Sequence, residues 1–201
     1  MAHSSTMGMP VTPTAALVFA EGLGFFGSVA VQLTSDDWGR PSACEGWTVR
    51  DVVGHLSTSV EMGISVLRGE QPVWHAVSRP ADHVVGDPVA HWQALESRAR
   101  TALEGADLDL EMDTPMGRLS VSDRLAFPAI DLYVHAWDVG APCGVQVDIP
   151  THVIDFSHAV LDPISVTMSR GAGGAFGPEV PTPPGATPTE AFLAWTGRQP
   201  R

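Results

Sequence analysis

Residues 48–69, TVRDVVGHLSTSVEMGISVLRG, decide the fold. Val49, Val52, Val53, Leu56, Val60, Ile64 and Leu67 recur in it at steps of three and four, the spacing that lines up one face of an α-helix. The stripe they make faces a core, and His55 sits at its margin. Thr48 stands where a helix should start, and Asp51, three residues on, completes an approximate capping box. The reading is a helix over 48–69, buried along one side.

Working outward, Leu17, Val18, Leu23, Phe25, Phe26, Val29 and Val31 are too dense for a loop and predict a buried helix over 13–33, against which Gly22, Gly24 and Gly27 count. The breakers of DDWGRPSACEG (36–46) separate it from the next helix, and 71–87, proline-bearing and aperiodic, reads as a long surface loop. A helix over 88–104 places Val89, Trp92, Leu95, Ala99 and Leu103 on one side and Glu96, Arg98 and Arg100 on the other. LEMDTPMGRLSVSD (110–123) alternates about Met116 and Gly117, as a short hairpin or extended excursion does. Ser122 then caps a helix over 123–139, kinked at Pro128 and ending near Gly140, and another helix covers 150–169. GAGGAFGPEVPTPPGATP (171–188) sustains neither period, and a short helix over 190–196 follows. The expected architecture is all-α: a frayed N-terminus (1–12), a four-helix bundle with the hairpin inserted (13–170), and an irregular Gly/Pro-rich tail with its short helix (171–201).

Composition removes several function classes. With 11 basic and 23 acidic residues the formal charge is -12, which disfavours a surface that tracks nucleic-acid phosphates. Every basic residue is Arg; the absence of Lys excludes Schiff-base chemistry, pyridoxal phosphate attachment and a lysine-bearing phosphate loop. Lys and Asn are absent and Tyr occurs once, and since the codons of all three are AT-rich, a GC-rich bacterial genome is expected. Cys44 and Cys143 are too few for a disulfide framework, and MAHSSTMGMPVTP (1–13) has neither the cationic start nor the apolar core of a signal or anchor. A cytoplasmic protein with no membrane partner is expected.

Asp131 and His135 lie four residues apart and so project from one helical face. That spacing alone suits a shared metal ion or a solvated hydrogen bond equally, and His55 in its apolar stripe reads as a core histidine. Nearby, Trp47 and Trp137 suit packing or a pocket wall. Arg50 suits a substrate carboxylate or a salt bridge to Asp51 or Asp138, and Asp138, three residues after His135, suits a hydrogen bond that orients its imidazole. His75, His83 and His91 share no helical face, and His152 and His158 point apart, so neither set predicts a second metal site. Cys44, just before a helix N-terminus, is the more reactive thiol by position, with a small buried filler as the plainer reading.

CEGWTVRDVVGHL (44–56) together with DLYVHAWDVGAPCG (131–144) closely resembles the DinB-like superfamily, in its branch of mycothiol-dependent maleylpyruvate isomerase-like proteins. The ending GAFGPEVPTPPGATPTEAFLAWTGRQP (174–200) resembles an actinobacterial subgroup of metal-binding proteins within it. The resemblance implies that His55, Asp131 and His135 are the ligands of one divalent metal; Arg50, Trp47, Trp137 and Asp138 are supporting or substrate-contact candidates by their positions beside these. It departs at Asp131, where the isomerase itself has Glu, and in a further C-terminal domain of that enzyme with no counterpart here, so maleylpyruvate is not the expected substrate. Two imidazoles and a carboxylate suit zinc first, then nickel, iron or manganese, and leave an open position.

The resemblance implies a metal-dependent thiol transferase or isomerase with mycothiol as cosubstrate and a small electrophile as substrate. The same ligands would permit a metallohydrolase of secondary metabolism or a non-catalytic metal-binding stress protein. An acidic helical bundle with exposed apolar helices is also compatible with a homodimer.

Overall fold

The computed structural model describes residues 13–73, 79–115, 117–164, 176–182 and 184–200. The expected frayed segment 1–12 and His75 lie outside them. Helix α2 (Val49–Leu67) starts on the full capping box: Thr48 Oγ1 accepts from the Asp51 N–H while the Asp51 carboxylate accepts from the Thr48 N–H. All seven apolar residues of its stripe are buried.

Around α2 stand α1 (Ala15–Ala30), α3 (Pro88–Glu104) and α5 (Ala126–Gly140). α1 packs on α5 and α3, and α2 packs on α3 and α5, which closes the four-helix ring. The glycines that counted against α1 serve its packing: a Cβ on Gly22 would stand 2.9 Å from Leu132 and Tyr133, so its absence lets α1 approach α5. Leu17 and Val31, read as part of the apolar set, are exposed. The hairpin forms as β1 (Glu111–Thr114) and β2 (Gly117–Ser120), antiparallel, with Met112 opposite Leu119; Met116 itself is outside the described residues.

Three expectations are corrected. The helix over 123–139 is two helices, α4 (Val121–Arg124), capped by Ser120 rather than Ser122, and α5. Pro128 lacks an N–H and its ring crowds the carbonyl four residues back, that of Arg124, so the helix restarts at Leu125 instead of kinking in its second turn. The helix over 150–169 is observed as α6 (Thr151–Leu161), ending in a turn at Pro163; residues 165–169 lie outside the described residues. The loop 71–87 contains a 3₁₀ turn, Pro80–His83, that packs against α2. The Gly/Pro-rich stretch also packs back. Thr189 Oγ1, on α7 (Pro188–Trp195), accepts from the Ile149 N–H at 2.9 Å, and Phe176, Phe192 and Leu193 enter the core.

Gly54 is the tightest point of the loop-to-helix contact, because a Cβ there would overlap the Pro80 carbonyl. Gly54→Ala would gain about 1 kcal/mol of helix propensity. Backbone cannot yield like a side-chain tip, so overpacking of about 1–3 kcal/mol or more outweighs that gain. Because the added Cβ would overlap backbone, the cost lies at the top of that range, and the expected net loss of about 2 kcal/mol or more lowers the melting temperature of a chain this size by roughly 4–8 °C or more, readable by calorimetry.

Asp51 is 2% exposed. Burial raises its carboxyl, but hydrogen bonds from the Thr48 side chain and backbone, Arg79 and the Ala81 N–H outweigh this and hold it at about 2. A carboxyl depressed in the folded state stabilises fully above its unfolded value near 3.9 and loses that contribution as pH falls through the folded value. In urea titrations, the gap between the parent and Asp51→Asn should therefore be about 1–2 kcal/mol at pH 7 and shrink between about pH 4 and pH 2.

Candidate metal centre

The α2–α5 contact sets the site. His55, seven residues into α2, meets Asp131 and His135 one turn apart on α5, and the ligating atoms of the three lie within 4.8 Å of one another. His55 Nε2 is 3.7 Å from Asp131 Oδ2, and the two imidazoles meet edge to face with centroids 4.9 Å apart. Ser59, one turn after His55, donates to Asp131 Oδ2 at 3.3 Å. An ion bound to nitrogen and oxygen at about 2.0–2.2 Å in tetrahedral geometry needs its ligands about 3.3–3.6 Å apart. The three residues fit such an ion with small side-chain rotations, and the His55 and Asp131 side chains, 36% and 31% exposed, have room to make them. The protein surrounds Asp131 closely while one side of its carboxylate reaches solvent: burial raises its carboxyl, and the neighbouring imidazoles of His55 and His135, together with the Ser59 hydroxyl, bring it below the ordinary value.

His135 is the buried member. Its Nδ1 lies 2.8 Å from Asp138 Oδ2. Asp138 is fully buried; burial raises its carboxyl, but the Arg198 charge and the hydrogen bonds from His135 and Arg198 hold it far below the carboxylate range. An ionised carboxylate only accepts, so His135 Nδ1 donates, which leaves Nε2 as the ring nitrogen that a metal would use. Arg198 grips the same carboxylate with Nε on Oδ1 at 3.1 Å and Nη2 on Oδ2 at 2.8 Å. Cys44 donates its S–H to Oδ2 at 3.2 Å.

The plainer reading of Cys44, a small packed filler, suits its surroundings better than the reactive thiol that its place before a helix offered. Burial, then the Asp138 charge, push the thiol up to about 12. Cys44, His135 and Asp138 also bring ligand atoms within 4.8 Å, but Arg198 already occupies that carboxylate. Trp47 packs against His55 with ring centroids 5.3 Å apart, and Trp137 lines a cleft of about 1360 Å³ on the Cys44 and Arg198 side. Arg50 spends its guanidinium on the carbonyls of Val84 and Gly86 and pairs with neither Asp51 nor Asp138, whose partners are Arg79 and Arg198. His91 is tied to Ser57 Oγ at 2.9 Å and to the Val85 N–H. Ser57 donates onward to the Val53 carbonyl, so this pair is structural and not a nucleophile with its base.

These three side chains lie within a stretch, residues 19–140, that matches the family model "Mycothiol maleylpyruvate isomerase N-terminal domain". The chain belongs to that family. The chain is also similar to uncharacterised proteins of Mycobacterium tuberculosis strains CDC 1551 and H37Rv, each 22% identical over 176 residues, which span 86% of this chain and 91% of the relative. The fold is similar to crystal structures of the mycothiol-dependent maleylpyruvate isomerase, with TM-score 0.52 at 17% identity, and of a histidine-to-alanine variant of it, with TM-score 0.54 at 16%. Each match covers 71% of this chain and 65% of the isomerase, so the chain spans about two thirds of that enzyme's length. No described helix of this family member is long and apolar enough to cross a membrane.

Arg198 is the site-adjacent residue that sequence reading passed over. A signal for it existed: Thr196-Gly197-Arg198 follows a capped apolar helix, and a glycine just past a helix end marks a Schellman turn that redirects the next residue.

Proposed function

We propose that this chain is a metal-dependent enzyme that activates a low-molecular-weight thiol, mycothiol by family, for S-transfer to or isomerisation of a small electrophilic molecule. The observation that carries the reading is the convergence of His55, Asp131 and His135, with His135 backed by a buried carboxylate. These three would hold a divalent ion, zinc first and nickel, iron or manganese by availability. An ion held there is a Lewis acid that lowers the pKa of a thiol presented to it.

The chain's own residues prepare that encounter. Two neutral imidazoles and one carboxylate would leave a divalent ion held there with uncompensated positive charge, open to solvent on the side of His55 and Asp131. Trp47 restricts the swing of His55. Asp138 keeps the His135 proton on Nδ1. Cys44, held protonated at neutral pH, does not serve as the nucleophile, so the reacting sulfur comes from a second molecule.

The test is turnover of a panel of small electrophiles by zinc-loaded protein with and without mycothiol. Consumption that requires both thiol and metal is expected. Thiol-independent hydrolysis would instead favour a metallohydrolase, and no turnover with no thiol effect on the spectrum of a cobalt-loaded sample would favour a metal-binding stress protein.

A further inference from the structure

Asp138 and Arg198 form an ion pair with no side-chain exposure on the first and 13% on the second. Taking such a pair out of water costs about what its attraction returns, and apolar residues of similar volume often stabilise a core as well or better. Packing therefore gives no reason for the pair, but His135 does: no apolar residue at 138 could accept the Nδ1 proton. The His135 and Cys44 donors both meet Oδ2, so on their own they would leave the carboxylate free to pivot about it. The Arg198 fork, two parallel bonds at 3.1 and 2.8 Å, fixes its plane and leaves Oδ2 2.8 Å from Nδ1.

Arg198 is itself aimed by backbone. At the end of α7 the Gly197 N–H donates to the Ala194 carbonyl at 3.0 Å and the Arg198 N–H to the Leu193 carbonyl at 2.9 Å, both bonds of a Schellman turn. Gly197 has φ 88°, and a Cβ there would come within 2.8 Å of the Gly177 backbone. The turn admits no side chain at 197 and sends the next one into the bundle.

We propose that Arg198 is a positioning residue for His135. Acting through Asp138, it keeps the imidazole proton on Nδ1 and the Nε2 lone pair available beside His55 and Asp131. Its consequence for metal affinity rests on the metal reading above; its consequence for the imidazole does not.

The experiment compares the full chain with Arg198→Gln, Arg198→Lys, Asp138→Asn and the Arg198→Gln/Asp138→Asn double variant. Zinc dissociation constants by chelator competition, taken well below each melting temperature, should rise about tenfold for Arg198→Gln and about 10–100-fold for Asp138→Asn. Arg198→Lys keeps the charge without the fork and should fall between Arg198→Gln and the parent. The double variant should be no weaker than Asp138→Asn alone, because both changes act on one path. In metal-free protein, the ¹⁵N shifts of the His135 ring should report an Nδ1–H imidazole in the parent and move in Arg198→Gln.

A folded Arg198→Gln with a zinc constant within about twofold of the parent and unmoved ring shifts overturns the proposal, as does a double variant whose losses add. If the parent itself binds no zinc, the metal reading fails and the ring shifts alone decide the positioning role. If Arg198→Gln does not fold, the ring shifts of Arg198→Lys decide it.

Discussion

His55→Ala and Asp131→Ala proteins, purified beside the parent and analysed for metal, are expected to carry little zinc while keeping the parent's helical spectrum. Structural zinc sites are worth about 10–16 kcal/mol over four ligands, so one ligand carries roughly 3–4 kcal/mol. That corresponds to a dissociation constant weaker by about two to three orders of magnitude. Folding should survive, because the His55 and Asp131 side chains are a third exposed; Asp131→Ala should be the more costly of the two, since the buried Ser59 hydroxyl donates to Asp131. His135→Ala should lose metal equally, since it leaves Asp138 its Arg198 and Cys44 partners and removes only the ligand. Stoichiometric zinc retained in both His55→Ala and Asp131→Ala would remove the site as drawn.

The second large effect is on stability, and it is asymmetric. Removing one member of a buried ion pair costs about 3–5 kcal/mol when the survivor stays buried. Arg198→Ala strands Asp138 at zero exposure, with only the His135 and Cys44 donors left to it. Asp138→Ala strands Arg198, which lines the wide cleft and can turn its guanidinium into water. Urea unfolding at pH 7 should therefore show the full loss for Arg198→Ala and a smaller one, about 1–3 kcal/mol, for Asp138→Ala. Equal losses would mean that Arg198 cannot reach solvent.

Helices α2 and α3 were legible nearly to the residue, because each carries its apolar period together with an explicit start, the Thr48–Asp51 box and Asp87 before Pro88. The hairpin was legible from its alternation about Gly117, and α7 was read two residues late because its Thr187–Glu190 capping box was passed over. The segments misread are those where a proline acts at a distance: Pro128 resets the helix four residues upstream, and Pro163 ends α6 early. Glycine misled in α1, since a missing Cβ costs propensity locally and permits close approach to α5, which only the partner helix reveals.

By itself the sequence determined that α2 is a one-faced helix with His55 at the edge of its apolar stripe, and that Asp131 and His135 share a face of α5. Both follow from helical periodicity, a property of neighbours along the chain. Only the tertiary structure decided that the two faces meet, that Asp138 turns to His135, and that Arg198, 60 residues on, closes over it while Arg50 goes elsewhere. Those pairings are set by packing and by the demand that buried charge find a partner, and neither condition is written in local spacing.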